Sequence, residues 1–137
     1  MAPVEAGRYH PPVTTFYTLD RANERIPELD GLLTLLRGQR DELRDLKATF
    51  DATPPGEDRR RLRLRMQGLV DQMQAAVAKI DAWGITLRDI DTGLIDFPAL
   101  ASGRQVWLCW RLGEGPVEWW HELDAGFSGR RPLIELA

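Results

Sequence analysis

The 137-residue chain has one cysteine and two histidines, and no apolar run in it approaches the roughly 20 residues of a spanning helix. Each shortage excludes something. A lone Cys109 cannot close an internal disulfide, which fits a reducing compartment. With no spanning segment, and with an N-terminus (MAPVEAGRYHPP) that lacks the apolar core of a signal peptide, the expected location is cytoplasmic and no membrane partner is expected. Basic charge is also short. Eighteen Lys and Arg against 21 Asp and Glu give a net charge of -3, which argues against nucleic acid as the main partner. What remains, 43% hydrophobic and 28% charged, is the composition of an ordinary globular domain able to bury a core. There is no internal repeat and no low-complexity segment.

The densest stretch runs over residues 103–131 and holds Cys109, His121 and four of the five tryptophans. Residues 105–111 and 116–123 are rich in Val, Trp and Leu, and the glycines between them predict a β-hairpin. If Arg111 lies opposite Pro116, then Trp110 faces Val117, Leu108 faces Trp119 and Val106 faces His121, all on a core side. The other side then carries Trp107 and Cys109 across from Trp120 and Glu118. Adjacent Trp119 and Trp120 cannot share a face, so the second face is either covered or open as an aromatic binding surface of Trp107 and Trp120.

Residues 1–15 have three prolines and no periodicity, and read as a flexible N-terminal tail. Thr18 caps a short helix over 19–25, and Pro27 either starts the next helix or kinks a continuous one. Over residues 28–50 a heptad seam follows: Leu29, Leu32, Leu36, Gln39, Leu43, Leu46, Phe50. Residues 51–56, with two prolines and a glycine, break it. A second seam over 58–83 runs Leu62, Met66, Leu69, Met73, Ala76, Ile80, Trp83. Matched rods with a short connection predict a long antiparallel, coiled-coil-like hairpin. Leu33, Leu35, Leu64, Val70 and Val77 lie beside the seams and need cover from the sheet or from a second copy, which predicts a homodimer.

Gly84 ends the second helix. Residues 85–91 and 94–98 read as short strands, with Pro98 placed at an edge or strand end and residues 99–102 as a turn. After residue 123 the chain reads as a loop and a short apolar tail. The fold class is therefore α+β: a helical segment over 16–84 and a small, mostly antiparallel, Trp-rich sheet segment over 85–137 on its base, forming one structural domain.

The C-terminal motifs, Gly93 to Leu100 (GLIDFPAL), Gly103 to Glu114 (GRQVWLCWRLGE), Trp120 to Glu122 (WHE) and Gly126 to Leu133 (GFSGRRPL), follow a long helical hairpin. This arrangement resembles the bacterial family catalogued as domain of unknown function 2203. The resemblance spans residues 16–133 and implies a fold, with no activity and no catalytic residue.

Four features could carry chemistry. Asp89, Asp91, Asp96 and Glu114 with His121 have the donor types of a divalent metal site but the spacing of no known loop. Capping turns and pairing with Arg88, Arg104, Arg130 or Arg131 is their local reading. His121, placed on the core face, needs a partner, and Asp96 is the best candidate. As an oriented base or ligand it would be functional; with both nitrogens satisfied it is structural. Cys109 faces away from His121 in the register above and reads as a buried, unreactive thiol. Arg59, Arg60, Arg61, Arg63 and Arg65 form a basic run, offset by Asp41, Glu42, Asp45 and Asp51 on the facing helix.

The leading expectation is a non-enzymatic binding or scaffold protein that dimerises through its hairpin and meets an unidentified protein or small molecule, with no cofactor. The alternative is a small enzyme or metal-binding protein with Asp96, Glu114, His121 and Arg130 around a pocket between hairpin and sheet.

Overall fold

A computed structural model describes residues 15–136. The tail expected over residues 1–15 lies, apart from Thr15, outside the described residues. Helix α1 spans Leu19–Asp51 and α2 spans Glu57–Ala82. Thr18 caps α1, its hydroxyl accepting from the Arg21 N–H at 3.2 Å, with Asp20 in the first turn where the dipole favours a negative charge. No separate first helix exists: α1 runs through Pro27. Proline removes one hydrogen bond of the helical ladder, and buried Ala22 and Leu29, on either side of it, hold both parts of the helix to the core. At the end of α2, Gly84 adopts φ 77°. Its N–H donates to Asp81 O at 2.9 Å and the Ile85 N–H to Ile80 O at 3.3 Å, the reciprocal closure that a left-handed residue allows.

The two helices pack on each other as a hairpin. Leu29, Leu36 and Gln39 are buried on α1, and Leu69, Ala76 and Ile80 on α2; nearer the tip Leu43, Leu46, Phe50, Leu62 and Met66 are half-buried. The one polar seam residue, Gln39, donates from Nε2 to Gln72 Oε1 at 3.0 Å. The arginine run engages its surroundings differently from expectation. Arg65 reaches Glu42 across the hairpin at 3.2 Å, but Arg59 and Arg63 lie over the Phe50 ring at 4.2 and 5.3 Å, and Arg61 pairs with Asp58 on its own helix. Asp51 is taken by Lys47 at 2.9 Å.

Five strands follow in an antiparallel meander, ordered as in the chain: β1 Thr86–Asp89, β2 Leu94–Ala101, β3 Arg104–Arg111, β4 Trp119–His121 and β5 Arg131–Pro132. One face carries Ile95, Phe97, Ala99, Val106, Leu108, Trp110 and Trp120, all nearly inaccessible, and joins Leu29, Leu33, Leu36 and Ile80 in a single core. Tyr17 locks the junction. Its ring stands edge-on to Phe97 at 5.0 Å and its hydroxyl donates to the Trp83 carbonyl at 2.5 Å.

Three expectations about the sheet are corrected. Pro98 lies inside β2, opposite Trp107, and not at its end. It is tolerated because β1 stops short of it and the Pro98 carbonyl accepts from the Tyr17 N–H at 2.7 Å. The missing N–H therefore points away from β3, where no ladder bond is needed. Residues 99–101 are strand, and the turn is Ser102-Gly103 alone, with φ 52° and 80°, the two positive values that a tight hairpin requires. Third, β3 and β4 pair one residue away from the expected register: Leu108 lies opposite Trp120, Cys109 opposite Trp119, and Trp107 opposite His121. Val117 is the cause. Its N–H donates to Asn23 Oδ1 of α1 at 2.8 Å, which seats Val117 in the core from an irregular loop over residues 112–118. The alternation of β4 begins only at Trp119, so Val117 does not set its phase.

Candidate functional site

The register change turns β4 over. Trp120 is buried on the core face, its indole N–H donating to Pro132 O at 3.1 Å, so it is no part of an aromatic surface. The outward indoles are Trp107 and Trp119, each half-buried beneath an arginine: Arg88 lies 5.0 Å from the Trp107 ring and Arg130 lies 4.6 Å from the Trp119 ring. His121 leaves the Val106 side and joins Asp96 and Cys109 on the face directed away from the helices. The candidate site is therefore not between hairpin and sheet.

On that outer face the four residues singled out in the sequence form two pairs. The Nε2 atom of His121 lies 3.0 Å from both Asp96 oxygens, with the two side chains 2% and 3% exposed. Arg88 Nε donates to Asp96 Oδ2 at 2.9 Å from a half-exposed position. The second pair is Arg130 Nη2 and Glu114 Oε2 at 2.6 Å, in which the Arg130 guanidinium also lies 4.7 Å from the Phe127 ring. Glu114 Oε1 accepts from the Arg111 N–H at 2.9 Å, so this carboxylate also closes the loop after β3. Cys109 is flanked by Asp96 on β2 and Trp119 on β4, and it feels the charges of both pairs.

The thiol is held inert. Burial pushes it up to about 12, with the neighbouring Asp96 charge acting in the same direction. A thiol of that kind is no nucleophile near neutral pH, although Cys109 shares a face with His121, contrary to the sequence reading. His121 is no poised base either. The Glu122 carbonyl, 2.7 Å from Nδ1, can only accept, so Nδ1 carries a proton while Nε2 is taken by Asp96. Neither nitrogen is left for a substrate. Asp89 and Asp91 stand apart in the β1–β2 turn. Asp89 Oδ2 accepts from the Thr92 hydroxyl at 2.6 Å and its N–H at 3.1 Å, and these bonds hold the Asp89 carboxyl below its ordinary value. Asp91 takes Arg40 at 2.9 Å, tying the turn to α1.

Sequence reasoning named Arg88 among the partners of the aspartates, as its bond to Asp96 bears out, but did not bring Cys109 to the face of His121. The signal for Cys109 was the alternative register, which places a carboxylate, a thiol and an imidazole on adjacent strands.

Elsewhere, α1 and α2 leave a shallow apolar groove of about 360 Å³ along the hairpin, lined by Leu43, Val70, Met73, Val77 and Ala78 with Gln74 and Asp81 at its border. Among the described residues no helix is long and apolar enough to cross a membrane.

An antiparallel helical hairpin capped by a five-stranded meander, with a buried His–Asp pair on the outer sheet face, defines an α+β protein of a single core. The chain belongs to the family described as Uncharacterized conserved protein (DUF2203), whose model matches residues 15–133. No curated protein and no solved structure matches it.

Proposed function

We propose that the protein is a non-enzymatic binding or scaffold protein that acts as a homodimer, with a second copy closing the hairpin into a four-helix arrangement. The observation that carries this reading is the groove over Leu43, Val70, Met73 and Val77, on the flank that the hairpin's own seam leaves uncovered. Charge favours a second copy as its occupant. Arg63, Val70, Val77 and Asp81 share one face of α2, being spaced by seven, seven and four residues. A copy laid antiparallel about a two-fold axis at the level of Gln72 along the helix brings Arg63 of each chain to Asp81 of the other, since both lie nine residues, about 14 Å, from that level. The engaged nitrogens of His121 and the protonated thiol of Cys109 support a role without catalysis.

Nucleic acid is not the proposed partner, because Arg59, Arg61 and Arg65 are already stacked or paired and the net charge is -3. The cytoplasm is the proposed compartment, on the buried free thiol. Light scattering on the full chain at micromolar concentration tests the reading: twice the 15.6 kDa chain mass is expected, and a monomer at every concentration removes it.

A further inference from the structure

Opposite the helices, the outer face of the sheet gathers a carboxylate, a thiol and an imidazole. With the His121 proton fixed on Nδ1 by the Glu122 carbonyl, a neutral ring turns the lone pair of Nε2 toward Asp96, whose oxygens are acceptors themselves at 3.0 Å. A positive species belongs between them, either a second proton on the ring or a metal ion. A third donor, the Cys109 thiol, favours the metal ion. One ligand atom each from Asp96, Cys109 and His121 all lie within 4.8 Å of one another, and all three residues are buried.

We propose that Asp96, Cys109 and His121 form a binding site for one divalent late first-row metal ion of the zinc type. The donor chemistry selects that class. A thiolate and an imidazole suit zinc and its neighbours, whereas calcium and magnesium require six or more oxygens. The fit is close: a tetrahedral ion with bonds of about 2.0 Å to N and O and about 2.3 Å to S sets its donors about 3.3–3.5 Å apart. The Asp96–His121 contact would open slightly and the thiol side close inward.

The surroundings match what such ligands need. A metal-binding histidine usually donates its other ring N–H to a carbonyl or carboxylate, and here Glu122 O receives it. A ligating carboxylate is itself held, and Arg88 binds Oδ2, leaving Oδ1 for the ion. Arg88 is half-exposed over Trp107 and provides the way in, since its long side chain can swing without disturbing the core. On binding, Cys109 Sγ gives its proton to solvent and coordinates as the thiolate; no electron changes hands.

The probe is Co²⁺, alone, added to the full metal-free chain. One equivalent per chain is expected, with a thiolate-to-cobalt charge-transfer band in the near ultraviolet that Cys109→Ser abolishes while the near-ultraviolet circular dichroism of the tryptophans is kept. Should Cys109→Ser fail to fold, the wild-type chain decides through nitrogen NMR of His121: added Zn²⁺ shifts Nε2 far more than Nδ1. Absence of uptake by the folded chain, a charge-transfer band unchanged in folded Cys109→Ser, or an Nε2 resonance indifferent to Zn²⁺ would overturn the proposal.

Discussion

The carboxylate of Asp96 on β2 and the imidazole of His121 on β4 meet at 3.0 Å although β3 lies between their strands. Cys109, the intervening residue of β3, pairs with Asp96, and Trp107 pairs with His121, so the contact runs diagonally over one face. Such a contact exists in only one register. It joins the first half of the sheet to the last and is a test of the whole meander.

Removing Asp96 leaves the buried His121 without its partner at Nε2, whereas Asp96 keeps Arg88 when His121 is removed. In metal-free buffer Asp96→Ala, which strands His121 and releases Arg88, is expected to cost about 3 kcal/mol or more. His121→Gln retains some hydrogen-bonding capacity and is expected to cost about 1–3 kcal/mol. Urea unfolding followed by tryptophan fluorescence measures both, and a loss below about 1 kcal/mol for Asp96→Ala contradicts the buried pair.

Much of this architecture was legible because it rests on spacing. The seams of α1 and α2 repeat every three or four residues, and Gly84 marks the helix end, so the hairpin follows from local rules. The Asp96–His121 contact was anticipated from the need of a buried imidazole for a partner. What escaped was non-local. Whether Val117 counts as the first residue of β4 depends on Asn23, 94 positions earlier, and that one bond decides which of Trp119 and Trp120 enters the core. The same slip hid Cys109 from His121. Pro98 failed as a strand-end marker because β2 runs on past it, with its side away from β3 free of any strand and met by the Tyr17 N–H, again a contact that spacing cannot reveal. The strand Arg131–Pro132 is two residues long and carries no alternation to read.

The self-association proposed for the hairpin has its own substitution test. Val70→Lys with Val77→Lys places two ammonium groups in the apolar groove, where a second copy would have to desolvate them. Both valines are only half-buried in the single chain, so its fold is expected to survive with helical circular dichroism unchanged. The double variant should sediment as a monomer under conditions where the unaltered chain is a dimer. If it dimerises equally well, the interface lies elsewhere.

The turn between β1 and β2 gives a pH dependence with a definite sign. The Thr92 hydroxyl and N–H bond the Asp89 carboxylate and hold its pKa below the ordinary 3.8. A group depressed in the folded state stabilises above its unfolded value, and that contribution is lost as pH falls through the folded one. Carbon NMR of the Asp89 carboxyl should therefore show a midpoint below 3.8, rising toward that value in Thr92→Val. A midpoint at or above 3.8 in the unaltered chain contradicts the cap.

The register itself can be tested by the two adjacent tryptophans, because each register buries a different one. Trp120 is 1% exposed, lies opposite Leu108 and donates to Pro132 O; Trp119 is half-buried on the outer face beneath Arg130. Trp120→Ala would empty a large volume in the core and orphan a carbonyl of β5, at a cost of about 3–5 kcal/mol. Trp119→Ala would forfeit mainly its stacking with Arg130, about 1–2 kcal/mol. The order of the two losses is the discriminating quantity, since the opposite register exchanges the two side chains. Equal losses, or a greater loss for Trp119→Ala, would return His121 to the side of Val106 and separate it from Asp96.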